Sequence, residues 1–379
     1  MITSRTGAIV ATETTPYAWP AFAGHQVPKL VYLDLLHWIG LAQAAVGHRS
    51  GLAHVPILEA CRAARAAGTV LFPLSATHYM EMSRIQDPRQ RRHLARVMEE
   101  LSGFTTLAGR PMLMRWEIEA ALNAMGYPPR STSPSGTSES RLLGFGVGWA
   151  FGHQIVPRMV RPDGTDATDV ARLAYRRGPE AFDRFWSKIP SYVERSLLRG
   201  PKDEELPSLR AHGYRPENVD EVADQRAQRE RDLLVQLDQE PRWRRGRLRD
   251  VVAARELYHE LIDALTEELL ARGTSLGELD WGLEEGRRFI DLMPGTDVAV
   301  TLKTSAHRNR DKSWETNDIH DIDALSVAVP YCDAVVTEKH AHHVLTTTNL
   351  EARTGTTILR RLADLHEWLQ LTNVDPPVA

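Results

Sequence analysis

The sequence predicts an α/β fold in which a central parallel sheet is interrupted by a mostly α-helical insertion. Two observations lead to this class. Short apolar runs alternate with amphipathic segments over residues 29–125 and again over residues 291–379, which is typical of parallel strands joined by helices. Residues 126–290 are mainly charged and rich in Ala, Arg, Glu and Leu, with helical spacing. We therefore expect an irregular segment at 1–28, one domain in two parts (29–125 and 291–379) and an insertion between them.

The first part of the domain shows its elements in a clear order. An apolar run predicts a strand over 29–34, and helical spacing follows directly over 35–45. A helix over 54–67 is expected to end at Gly68, before a second strand over 69–74. Ser75 has the character of a helix N-cap, and a further helix covers 89–101. The Ser- and Pro-rich stretch 128–140 predicts a flexible connection.

The insertion and the second part follow. Segments 166–198 and 217–272 have helical patterns and no strand signal, and the glycine-rich stretch 144–152 predicts a closely packed turn region. Helices are expected to continue over 275–291 and 294–303. The last part then resumes the alternation, with the order helix 318–330, strand 333–337, helix 338–346, strand 356–360 and helix 362–371.

Composition excludes several classes of protein. The 379 residues include 46 Lys and Arg against 50 Asp and Glu, so a net charge of −4 excludes a globally basic nucleic-acid coat but allows a local basic groove. Two cysteines are too few for a disulfide scaffold or a Cys-rich zinc module. No signal peptide is evident, and glycines and polar residues interrupt the most apolar stretch, 142–160. We expect a cytoplasmic protein without a membrane span.

Acidic residues stand where α/β sheets usually carry function, outside the carboxyl ends of the strands. Asp34 ends the first strand, Glu338 follows the strand at 333–337, and Glu81 lies about two turns into the helix after the second strand. Asp321 lies near the start of the helix that precedes the 333–337 strand. Each acid alone is more often a cap or a solvated strand end. Together they would repel one another unless a hard cation were bound, and oxygen ligands favour Mg²⁺ or Mn²⁺ over zinc.

Three segments of the amino-acid sequence resemble a PIN-like nuclease domain. Residues 32–39 (YLDLLHWI) and 72–81 (FPLSATHYME) resemble its opening, and residues 317–338 (NDIHDIDALSVAVPYCDAVVTE) resemble its closing half. The resemblance does not extend to the insertion. It implies a three-layer domain around the parallel sheet, and a metal-dependent endonuclease that usually acts on RNA.

Carried over to this sequence, the resemblance assigns roles to the acids. Asp34, Glu81 and Asp321 would ligate the metal, and Glu338 would be a fourth acid where the family commonly has Asp at or next to that place. Thr337 would orient a carboxylate or a water through its hydroxyl. The neighbouring acids of the same helix remain alternates for Asp321; they are Asp318 and Asp323.

Basic and aromatic residues near the acids have two interpretations. Arg308 and Arg310 could hold phosphates and Trp314 could stack on a base, or the three could form a solvated loop with the indole packed inward. Arg244 and Arg245 belong to the densest basic run, 241–249. Such runs are usually solvated faces, but this one is the best candidate for a nucleic-acid contact outside the sheet. The histidines at 340, 342 and 343 lack the spacing or the cysteine neighbours of a zinc site.

The sequence thus predicts a metal-dependent endoribonuclease, with RNA as substrate. A toxin or defence role is an analogy drawn from other nucleases with such insertions. An inhibitor protein or a second copy of the chain could bind through the insertion. Two alternatives remain open, namely a DNA nuclease that uses the same acids and a non-catalytic PIN-like binding module. A phosphatase is disfavoured because no DxDx(T/V) motif follows at Asp34.

Overall fold

The structure is a computed structural model, and it describes residues 17–24, 28–130, 141–153, 158–202, 204–211, 215 and 218–372. Most of the irregular segment expected at 1–28 lies outside the described residues, because 1–16 and 25–27 are not among them. The connection expected at 128–140 also lies largely outside them, from 131 onward.

A parallel sheet is built from both ends of the sequence. The described strands are β1 (Lys29–Leu33), β2 (Val70–Leu71), β3 (Thr105–Leu107), β4 (Leu143–Phe145), β5 (Ala334–Val336) and β6 (Thr357–Leu359). Within the described residues, four of them form the order β2-β1-β5-β6, and every neighbouring pair is parallel. The predicted α/β class with a parallel sheet is confirmed at this level. The strands are shorter than predicted, and the run 69–74 forms a strand only at Val70–Leu71.

Helices surround this sheet and make up most of the described chain. Those of the first part are α1 (Leu35–Ala45), α2 (Val55–Ala66), α3 (Ala76–Arg84), α4 (Pro88–Ser102) and α5 (Arg110–Ala124). Those of the second part are α16 (Pro294–Arg308), α17 (Thr316–Tyr331), α18 (Lys339–Thr347), α19 (Leu350–Thr354) and α20 (Leu362–Thr372). The helices that the sequence predicted agree in position to within a few residues, except that α16 extends to Arg308, whereas α5 and α19 were not predicted.

The insertion is mainly helical over its described residues and also contains one strand. Its helices are α6 (Gly146–Ala150), α7 (Thr168–Ala174), α8 (Pro179–Trp186), α9 (Ile189–Arg199), α10 (Leu206–Ala211), α11 (Asn218–Gln239), α12 (Pro241–Arg244), α13 (Leu248–Glu256), α14 (Ile262–Ala271) and α15 (Leu283–Leu292). A π-helical turn, Leu257–Leu261, joins α13 to α14. Among the described helices, none combines the length and apolar character that a membrane crossing requires.

The glycine-rich stretch 144–152 is more than the predicted turn region, because β4 lies at its start and pairs antiparallel with β3. A Cβ atom added at Gly144 would lie 2.2 Å from the Trp149 ring, so only glycine lets this strand pack against the indole. Both strands contain three residues, which is too short for an alternating pattern to be recognised.

Successive residues of β1 point to opposite faces of the sheet and enter different cores. Leu30 and Tyr32 belong to the core shared with α16 and α17, whereas Val31 and Leu33 belong to the core shared with α1, α2 and α20. This alternation is expected of a strand covered by helices on both faces. It explains why β1 is apolar at every buried position.

A third core joins the insertion to the rest of the protein. It combines apolar side chains of α5, α11, α13, α14, α15 and α16, such as Ile118, Leu233, Val252, Phe289 and Val300. The helices predicted as an insertion therefore do not form a core of their own. They complete one that α5 and α16 begin.

A buried ionic network connects the same elements. Lys303 of α16 is 3% exposed and donates to Glu230 of α11 at 2.8 Å and to Glu256 of α13 at 2.7 Å. Arg110 of α5 pairs with Glu256 and with Asp323 of α17. Because a charge without a partner is costly in a protein interior, this network fixes how the insertion packs against α16 and α17.

Candidate active site

Asp34 and Thr337 are brought together by the register of the sheet. Leu33 of β1 pairs with Val336 of β5, so the next residue of each strand lies side by side at the carboxyl edge. The backbone N–H of Asp34 donates to the carbonyl of Val336 at 3.0 Å. The Thr337 hydroxyl is a hydrogen-bond donor to the Asp34 carboxylate. Thr337 is 1% exposed, so this hydrogen bond comes from the buried side of the Asp34 carboxylate.

Glu81 is positioned by a buried histidine one turn earlier in α3. His78 Nδ1 accepts the backbone N–H of Ser75 at 3.0 Å, and His78 Nε2 donates to the carbonyl of Leu33 at 2.8 Å. Because Nδ1 accepts a hydrogen bond, the imidazole is neutral with its proton on Nε2, and burial lowers the pKa of His78 to about 4. Ser75 caps α3 as predicted, in a reciprocal capping box with His78. The start of α3 is thus tied to the end of β1, and Glu81 comes within electrostatic range of Asp34.

Asp321 lies in the second turn of α17, one turn after Asp318. The Asp318 carboxylate accepts the backbone N–H of Glu315 at 2.8 Å, which caps the helix, and it also accepts Lys312 Nζ at 2.6 Å. Asp318 is therefore already engaged on the rim. Asp321 instead faces the charges of Asp34 and Glu338. Of the residues in this helix, Asp321 is thus the one that faces the acids of β1 and β5.

Burial raises the pKa values of these acids, and like charges nearby add to the shift for Glu81 and Asp321. Burial, followed by the charges of Asp34 and Asp321, raises the pKa of Glu81 to about 8. Burial and the charges of Asp34, Glu338 and Asp318 raise the pKa of Asp321 to about 7. Burial also raises the pKa of Asp34, although hydrogen bonds from the Leu35 N–H and Thr337 oppose it. Neighbouring groups crowd the Asp321 carboxylate, but part of the residue stays in contact with solvent, so water and salt screen part of its interaction.

Asp34 and Asp321 border a cleft between α16, α17, α18 and the carboxyl edge of the sheet, and Glu81 lies outside its lining, within electrostatic range of both. The cleft is narrow, with a cavity volume of about 80 Å³, and its polar lining includes Asp34, Asp318, Asp321, Thr337 and Glu338. Glu338 is exposed at this mouth. Among the described residues, no three Asp, Glu, His or Cys side chains are already gathered closely enough to hold a metal ion. The carboxylates are close enough to influence one another's charge but too far apart to coordinate one ion together.

Asp323 lies on another face of α17 from Asp321 and does not join the acidic cleft. Its carboxylate pairs with Arg110 and Arg226, and these cations hold its pKa well below the usual range despite burial. This acid is neutralised by two guanidinium groups. As an alternate to Asp321 in a metal site it would first have to lose both.

The predicted nucleic-acid contacts divide into buried and exposed residues. Trp314 is 1% exposed and packs 5.0 Å from the His307 ring, so its ring is not available to stack on a base. Arg244 is largely buried and donates to the carbonyl of His307 at 2.6 Å. The remaining predicted arginines are exposed; they are Arg245, Arg308 and Arg310.

Sequence reasoning did not place Tyr32 and His340 in the cleft, and it identified Lys312 only as part of the basic segment before the helix. Lys312 pairs with Asp318 on the rim, Tyr32 forms part of the wall, and His340 lies at the mouth. Lys312 stands in the basic loop 307–312, which was the available signal for a cation beside the acids. Tyr32 had no such signal, because a buried aromatic residue in a strand is ordinarily only a core residue.

Comparison of the chain with protein families, with curated proteins and with solved structures finds no match. The function must therefore be inferred from the side chains of the site and from their surroundings.

The raised pKa of Glu81 predicts a pH dependence of stability in metal-free protein. From about pH 5 to about pH 8 the unfolded chain has lost the Glu81 proton that the folded protein keeps, so stability falls as pH rises. Glu81→Gln removes this titration, and its stability should fall less over the same range. Urea denaturation in a chelator, at several pH values, measures the difference. Glu284→Gln, at an exposed site, is the control. Equal pH slopes for Glu81→Gln and wild type would contradict the crowding of these acids.

Proposed function

We propose that the protein is a metal-dependent endoribonuclease whose active site is the acidic cleft at the carboxyl edge of the sheet. The observation that carries this proposal is the convergence of Asp34, Glu81 and Asp321 from three separate elements: burial raises the pKa values of all three acids, and the neighbouring acids raise those of Glu81 and Asp321 further. Structural acids are normally neutralised by partners, as Asp323 is. Acids whose main neighbours are other acids are characteristic of functional sites.

The side chains fit a divalent cation of the Mg²⁺ or Mn²⁺ type. The donors are carboxylate and hydroxyl oxygens, which hard cations prefer. Asp34 is oriented by the Thr337 hydroxyl, an outer contact of the kind that fixes metal-ligating carboxylates. A cation would also offset the mutual repulsion of the acids, so binding is expected to draw carboxylates together that now stand apart.

The roles of the residues follow from their positions. Asp34, Glu81 and Asp321 would hold the ion, and Glu338 would reach toward it from the mouth. When bound, the ion supplies a water of lowered pKa and offsets the charge of the phosphodiester. Lys312 stands on the rim with its ammonium group 2.6 Å from Asp318, where it can contact a phosphate of the substrate. The exposed Arg308 and Arg310 lie in and beside the same loop and extend this basic edge.

Incubation of the protein with labelled RNA, single-stranded DNA and duplex DNA tests the proposal. We expect cleavage of RNA with Mg²⁺ or Mn²⁺ and none with EDTA. Metal-dependent cleavage of DNA alone would replace the ribonuclease by a DNA nuclease with the same site. Cleavage that persists in EDTA would contradict the metal dependence. An absence of cleavage together with an absence of Mn²⁺ binding would favour the non-catalytic binding module.

A further inference from the structure

A second cleft lies directly beside the acidic one. Its cavity volume is about 440 Å³, and the two clefts share Thr77 of α3 and Ala324 of α17 as a common wall. The second cleft is bounded by the start of α3, the start of α5, the end of α6, α11 and α17. Sequence reasoning gave no role to this region.

Helix α17 lies between the two clefts, and a different face of the helix lines each of them. Asp321 and Leu325 line the acidic cleft, whereas His320 and Val327 line the second. These faces are adjacent because residues three and four apart align along a helix. A ligand that crosses Ala324 can therefore occupy both clefts, with one part beside the acids and another part beside Val327.

The exposed side chains of the second cleft are apolar, and the charged side chains at its floor are paired with opposite charges. Its wall includes Met80, Phe151 and Val222, and Phe151 is 37% exposed, so part of its ring is available for contact. The charges at its floor are Arg110 and Arg226, and both guanidinium groups are paired with carboxylates. A phosphate would find no uncommitted cation at this floor. A flat, neutral, partly polar group suits it better.

We propose that the second cleft binds an unpaired nucleobase of the substrate strand, next to the phosphate that is cleaved in the acidic cleft. This inference rests on the proposed nuclease function and specifies its substrate as a single-stranded region. A base can stack on the accessible part of Phe151, because every base has an apolar face, and its edge can meet the polar groups of the floor. The cavity volume of about 440 Å³ lies in the range of small-ligand sites.

The insertion supplies one wall of this cleft, through Val222 and Ala223 of α11. The same helix is fixed to α17 by the pairing of Arg226 with Asp323. The proposed base site is therefore a joint product of the insertion and the α/β domain. The pair also explains why an acid of α17 next to the catalytic face is neutralised rather than free.

Filling the cleft tests the proposal. Val222 is 60% exposed and lines the cleft, so Val222→Trp can fill it without disturbing the core. Val235 is 59% exposed on the same helix and is not among the residues of the cleft, so Val235→Trp is a matched control. The substrates are one RNA oligonucleotide and a set in which single nucleotides near the cleaved bond are replaced by abasic ones.

For wild type and Val235→Trp, we expect one abasic position to reduce kcat/KM by about tenfold or more, in line with the strength of base–aromatic stacking. Val222→Trp should reduce kcat/KM for the intact RNA by a similar factor and should no longer respond to the abasic position. Binding is measured in parallel by fluorescence anisotropy with Asp321→Asn protein, which separates base recognition from cleavage.

The outcomes distinguish this inference from the function on which it rests. Cleavage that is insensitive to every abasic position, or that is equal in Val222→Trp and Val235→Trp, overturns the base site and leaves the nuclease proposal standing. Base-dependent binding without cleavage by the wild-type protein overturns the nuclease proposal and supports the base site. Loss of binding in both tryptophan variants alike would show a general effect on α11 and would also overturn the base site.

Discussion

Replacement of Asp34 by Asn is expected to reduce metal-dependent cleavage by more than about 100-fold, because even outer partners of metal ligands cost about 10- to 100-fold when removed. Asn keeps the shape of the side chain and its place beside Thr337, but it removes the charge that a cation needs. Asp321→Asn should have a comparable effect. Initial rates with Mg²⁺ and with Mn²⁺ at several concentrations measure both variants.

Thermal unfolding shows whether such a loss is caused by misfolding. Without metal, Asp34→Asn should be at least as stable as wild type, since it relieves repulsion among the acids. With metal, wild type should gain stability, by about 2.7 kcal/mol at a hundredfold excess over Kd, whereas the variant should gain little. Asp232→Asn, an exposed acid of α11, should behave like wild type in both assays. If Asp34→Asn and Asp321→Asn both cleaved RNA at the wild-type rate, the assignment of the active site to these acids would be wrong.

Loss of the buried ammonium group at position 303 is expected to have the largest effect on stability. Lys303→Met should reduce the free energy of unfolding by about 3–5 kcal/mol, because Glu230 and Glu256 would keep buried charges without their shared cation. Lys303 lies between α11, α13 and α16, so its loss weakens the packing of the insertion. Urea denaturation monitored by tryptophan fluorescence measures the change.

Two comparisons make this expectation specific. Arg287→Met breaks a surface pair with Asp250 and should cost less than about 1 kcal/mol. The triple variant Lys303→Met, Glu230→Gln, Glu256→Gln should recover part of the lost stability, since it removes the two buried carboxylate charges that Lys303 balances, while Arg110 and His307 each lose one partner. If Lys303→Met were as stable as wild type, the network would not be what joins the insertion to α16.

The sheet and the acidic edge could be predicted because both depend on local patterns. Apolar runs show the strands, and the residues after them lie at one edge whenever the strands are parallel. Pairing between distant side chains has no local pattern. Asp321 and Asp323 are the same type of residue, two positions apart in the sequence. Asp323 nevertheless pairs with Arg110, 213 positions away, and with Arg226.

Burial was the other property that the sequence did not determine. Trp314 lies in a basic loop, where either packing inward or stacking on a base was possible, and the structure places it in the core beside His307. The extent of the insertion's packing was also hidden. Its apolar stripes were visible, but the helices α5 and α16 that complete its core belong to segments assigned to the sheet domain.

The pairing of β1 with β5 has a consequence for how the protein matures during synthesis. The backbone N–H of Leu30 donates to the Asp333 carboxylate across 303 positions, and the neighbouring strands carry Asp34 and Thr337. Contacts of such long sequence separation form late, because the intervening chain must first be made and ordered. A growing chain on the ribosome thus carries Asp34 and Glu81 long before α17 and β5 emerge. The nascent chain is held close to the RNA of the ribosome. If the protein cleaves RNA, it would therefore stay inactive there until synthesis of the sheet is nearly complete.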